Sequence, residues 1–143
     1  MEKLSSREGI IKLADETVLV LKIDVVDVRE FGFSPFGGVN IIVKPIGGVA
    51  TKEVPAELKQ QVSDKPLMPS TTPEEGWELI EIKEQTEAVC ERIVDTSKGK
   101  FIVRIRAEVL MVARNSLYKT ITGEPNYHAT WIYKVSWTPK QEE

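Results

Sequence analysis

The chain has 143 residues, 41% hydrophobic and 29% charged, with a formal net charge of −3. Residues 1–143 therefore read as a single domain that can fold without a disulfide or metal. The slight acidic excess argues against a dedicated DNA-binding protein, which shows a basic one. No apolar run approaches the roughly 20 residues of a membrane span, and the start, Met1 to Glu8, has no signal-peptide core. A soluble, cytoplasmic protein with no membrane partner is expected, and the single Cys90 fits a reducing compartment. Scarce Asn and Gln beside plentiful Lys, Arg and Glu lean toward a thermophilic source.

Ser5-Ser6-Arg7-Glu8 matches a helix capping box and precedes Ile10, Ile11, Leu13 and Ala14. It predicts a short helix over residues 6–14, weakened by Gly9. Residues 17–31 are rich in Val, Ile and Leu and predict a strand. Its alternation shifts after Val25, which calls for a β-bulge near Val25-Val26. A loop follows, Gly32-Phe33-Ser34-Pro35-Phe36-Gly37-Gly38, then a strand over residues 39–46 bracketed by Gly37-Gly38 and Gly47-Gly48. Pro45 places that strand at a sheet edge. Pro55 suits a first helical position, with Leu58 and Val62 one turn apart, so residues 55–62 predict a second short helix. A proline-rich connector over about residues 64–75 holds Pro66, Pro69 and Pro73 and lies inside the domain.

Three extended runs follow, residues 77–94, 101–121 and 127–138, separated by turn-rich segments. In the second, Phe101, Val103, Ile105, Ala107, Val109, Met111 and Ala113 form one face. In the third, Tyr127, Ala129, Trp131, Tyr133, Val135 and Trp137 do the same. The second run should be the middle strand, with Glu91 opposite Arg104 across one ladder. Strands this long should curl. The expected fold is α+β and β-rich: a strongly curved antiparallel meander or partial barrel with two short helices.

No motif carries a specific chemistry. His128 is the only histidine, so a triad or imidazole relay would have to run through it; its outward place on a strand favours an ordinary surface role. Cys90 faces inward and reads as a small buried hydrophobe. The glycine pairs lack phosphate-loop spacing. No catalytic set, metal site or cofactor is expected.

Four groups of residues are candidates for contact. Glu84 and Arg92 interrupt the inner face of the first run, where an ionisable group is costly unless paired or bound to a ligand. Phe33 and Phe36 sit in a flexible loop with Phe31, where large aromatics either pack down or meet a partner. Arg104, Arg106, Arg114 and Lys134 form a basic strand face near Lys98 and Lys100, interrupted by Glu108 and without the stacking rings of single-strand binders. Ile102, Leu110 and Val112, with Ile132 on the same face, are apolar where solvent is assigned, and suggest an oligomer interface. The leading expectation is a non-enzymatic binding or interaction protein that self-associates as a homodimer or larger homo-oligomer. The alternatives are a small-molecule-binding β cup and, less favoured, a nucleic-acid-binding β-barrel using the basic strand face.

Overall fold

The computed structural model describes residues 2–141. In chain order it has strands β1 (Glu2–Arg7), β2 (Gly9–Leu13), β3 (Val18–Glu30) and β4 (Ile41–Glu53), helix α1 (Ala56–Gln61), then strands β5 (Trp77–Ile80), β6 (Ile82–Thr86), β7 (Ala88–Thr96), β8 (Gly99–Lys119) and β9 (Pro125–Pro139). All strand ladders are antiparallel. One sheet runs β1-β7-β8-β9, and the other runs β4-β3-β2-β6. β8 is the spine of the first sheet. β9 lines one of its edges, so β7 and then β5 must share the other, pairing with residues 99–107 and 112–115.

The sheets face each other across two apolar clusters. Val25, Val28, Val39 and Ile41 meet Cys90, Val94, Phe101, Val103 and Ile105 in one. Ile11, Leu13, Leu19 and Leu21 meet Ala88, Ala107, Val109 and Val112 in the other. On one side the chain turns the corner between sheets twice, side by side. Arg7 pairs with Val89 in the first sheet and Ile10 pairs with Thr86 in the second, so a single register runs from β1/β7 into β2/β6. On the opposite side β4 and β9 have no ladder between them, so the sheets do not close into a barrel.

The middle position of the second extended run holds, as does the pairing of Glu91 with Arg104. The bulge in the early strand is also present. Pairing steps from Val25–Pro45 to Asp27–Lys44, leaving Val26 unpaired and exposed while Val28 turns inward. β4 is an edge strand, as Pro45 requires.

Several expectations are corrected. Residues 6–14 form no helix: they lie in β1 and β2, with Gly9, Ile11 and Leu13 buried at period two. The capping pattern is a local signal, and pairing with β7, β3 and β6 outweighs it. Only one short helix forms among the described residues, α1, with Leu58 and Val62 buried as the spacing predicts. The strand after the aromatic loop does not stop at Gly47-Gly48 but runs on to Glu53. The first extended run is three strands, not one; β6 leaves β8 to pair with β2 in the other sheet. Finally, β8 carries a bulge after Val109, where pairing steps from Val109–Trp131 to Met111–Thr130. One extra residue reverses every later side chain, so Met111 is exposed and Val112 is buried.

Candidate interaction surface

The β3–β4 loop is built tightly. The Phe31 N–H donates to the Asn40 carbonyl at 2.7 Å and the Asn40 N–H to the Gly32 carbonyl at 2.9 Å, so the two strands stay paired to the loop's base. Inside, the Ser34 hydroxyl donates to the Val39 carbonyl and accepts the Phe36 N–H at 3.1 Å. Gly37 has φ +82° and lies flat on a core ring: a Cβ there would come within 2.7 Å of Phe101. Both facts demand glycine.

The loop is also anchored to the first sheet. The Glu30 carboxylate accepts the Ser97 N–H at 2.8 Å and its hydroxyl at 2.6 Å. These bonds hold its carboxyl below the ordinary range. The Trp137 indole N–H donates to the Phe36 carbonyl at 3.0 Å, and the two rings meet edge to face with centroids 6.4 Å apart. Phe36, Val135, Ser136 and Trp137 line a shallow depression of about 230 Å³ beside it. On this fixed frame Phe31, Phe33 and Phe36 remain 66%, 78% and 69% exposed. Phe33 and Phe36 therefore project outward, together with Phe31.

The other expected site residues do not converge. Glu84 is not on the inner face of the first sheet. It stands exposed on β6 and pairs with Lys12 at 2.9 Å. Arg92 is buried inside as expected, where it pairs with Asp24 and donates to the Glu91 carbonyl at 3.1 Å. The two are thus in different sheets with separate partners. On the outer face of β8 and β9, Arg106 reaches Glu87 at 3.4 Å, and Lys134 reaches Glu87 at 3.0 Å and Glu108 at 3.4 Å. Arg104 is exposed beside them. Arg114 is not part of that face, because the bulge turns it inward.

Of the expected interface trio, Leu110 is exposed, Ile102 is half-buried and Val112 belongs to the core. Leu79 and Met111 join Leu110 along a groove beside the bulge, and Ile132 is exposed on the same sheet face.

Arg114 belongs instead to a cluster that sequence reading missed. Its guanidinium donates to Asp15 at 2.9 Å and to Glu78, and Tyr127 donates to the same Asp15 oxygen at 2.8 Å. Tyr127 also lies 2.7 Å from the Thr17 hydroxyl. Burial pushes the Tyr127 phenol far up, so it stays protonated as a donor. This chain of polar groups closes one end of the apolar core. Asp15 was hidden because it falls just past the expected helix, and Arg114 because the bulge reverses its face.

Cys90 is buried and burial raises its thiol pKa, away from the thiolate a nucleophile needs. His128 is exposed, edge-on to Trp77 with centroids 6.3 Å apart. Among the described residues no three His, Cys, Asp or Glu side chains gather in a metal-holding arrangement, and no helix is long and apolar enough to cross a membrane. No protein-family model, curated protein or solved structure matches the chain.

Proposed function

We propose that the chain is a non-enzymatic binding protein that meets its partner through the end of the sandwich carrying Phe31, Phe33 and Phe36. The observation that supports this is the exposure of all three rings, each 66% or more, on a loop held by hydrogen bonds at its base, at Ser34 and to Trp137. A large apolar side chain gains roughly 1.5–3 kcal/mol when removed from water. Three such rings left in solvent on one rigid loop are the pattern of a contact surface.

Equilibrium denaturation of Phe33→Ser separates a contact surface from a misjudged core. The proposal expects stability within about 0.5 kcal/mol of wild type, the usual range for surface substitutions. A loss of about 3–5 kcal/mol, the scale of a core phenylalanine deletion, would mean that the ring packs on its own fold and would overturn the reading.

A second reading, self-association, is supported by a different surface. Leu79, Leu110, Met111 and Ile132 expose apolar area on the outer face of the first sheet. A two-fold interface would cover the same patch on both subunits. It replaces Val112 with Met111 and adds Leu79 to the expected set.

A further inference from the structure

The end of the sandwich that carries the phenylalanine loop also gathers lysines. Lys98 stands on the β7–β8 turn, Lys100 at the start of β8, and Lys140 follows β9, and all three are exposed. Lys98 runs along the loop: a methyl on Gly38 would meet its Cε at 3.6 Å. The Lys140 N–H donates to the Lys100 carbonyl at 2.8 Å, which brings the chain after β9 to the same turn. Two carboxylates lie nearby: Glu30, which accepts from Ser97 and stays charged close to Lys98, and Asp95, which pairs with Lys100 at 3.3 Å. Glu142 and Glu143 lie outside the described residues. Residues 31–43 carry no ionisable group at all. The surface is therefore a set of uncharged rings beside Lys98 and Lys140, with Lys100 held by Asp95.

Resting on the binding reading above, we infer that this end binds single-stranded nucleic acid. Bases stack on Phe31, Phe33 and the Phe36–Trp137 pair, and phosphates meet Lys98 and Lys140. A single strand offers both features at once, apolar base faces and a repeating negative charge, and proteins that bind it without sequence preference combine rings with cations in this way. The hydrogen bonds within the loop fix its backbone before binding, which reduces the ordering cost. A fluid lipid surface makes no such demand. A duplex keeps its base faces stacked inside and cannot use the rings.

The test is fluorescence anisotropy with a labelled oligothymidylate and, in parallel, a labelled duplex, across a salt series. Wild type is expected to bind the single strand more tightly than the duplex, with affinity falling as salt rises. Phe33→Ala should weaken binding about tenfold, the scale of one lost stacking ring, and leave the salt slope unchanged. Lys98→Gln should lower the slope by about 0.7, one phosphate contact on a single strand. Any of three results would overturn the inference: no binding at low salt, equal binding of the duplex, or variants that behave as wild type. Flotation on phosphatidylglycerol vesicles without oligonucleotide binding would also overturn it, and would reassign the loop to a lipid surface. If the oligonucleotide fails while Phe33→Ser keeps full stability, the nucleic-acid inference falls and the contact surface stands.

Discussion

Gly9 sits where β1 becomes β2 and the chain leaves one sheet for the other. A Cβ at that point would lie 2.9 Å from both the Ala88 nitrogen and the Thr86 oxygen. These are backbone atoms and cannot swing aside, so Gly9→Ala should cost roughly 1–3 kcal/mol, as overpacking of a rigid site does, measured by urea denaturation. Gln85 solves a related problem. Where β6 departs from β8, its side-chain amide takes the place of a strand: Val109 donates its N–H to Oε1 at 3.0 Å and accepts from Nε2 at 2.8 Å. Gln85→Leu strips both partners from a buried residue and should cost about 1–3 kcal/mol. Gln85→Glu, which keeps only the acceptor, should fall between. Neither role is legible in the sequence, because each depends on a residue some 24 or 79 positions away.

Glu87 titrates in the same neighbourhood. Its hydrogen bond from Lys134, at 3.0 Å, holds its carboxyl below the ordinary range. A carboxyl depressed in the folded state adds stability above its unfolded pKa, about 4.3, and loses it as pH falls through the lower folded value. Thermal melts should therefore show wild type more stable than Glu87→Gln at neutral pH, with the gap closing below about pH 4. A gap that persists in acid would place the effect in packing.

At the scale of elements, the local alternation of apolar and polar residues was enough to find β3, β8 and β9, and to set β8 between its sequence neighbours. It failed where the determining contact is distant. A capping box and a short apolar run read as a helix, yet residues 2–13 complete three ladders instead. The bulge near Val26 was visible because the alternation itself changes phase there. The bulge after Val109 was not, because Leu110, Met111 and Val112 are all apolar and either phase fits them. That silent shift misplaced Val112, Met111 and Arg114 together. The inner face of β8 before the bulge is secure. Ile105 is fully buried between both sheets, so Ile105→Ala should cost roughly 2–5 kcal/mol, and a cost near zero by denaturation would mean the faces are reversed. Trp131 and Tyr133, on the apolar face of the third run, are only half-buried, because β9 lies along the open side of the sandwich.

For the molecule as a whole, the β-rich antiparallel architecture was legible and the opposed second sheet was not, since the corner at Gly9 carries no local signal. Two apolar surfaces remain in solvent, the phenylalanine loop and the patch around the β8 bulge. If the patch joins two copies, light scattering should show a dimer that becomes a monomer in Leu110→Glu/Met111→Glu, with the fold retained because both side chains already face solvent. A wild-type monomer up to near-millimolar concentration would leave the loop as the single contact surface. The loop itself is tested most directly by hydroxyl-radical footprinting read by mass spectrometry. Phe31 and Phe33 should oxidise rapidly in the free protein while Phe101, 2% exposed beneath the same loop, stays protected. Phe31 and Phe33 as slow to oxidise as Phe101 would contradict the account.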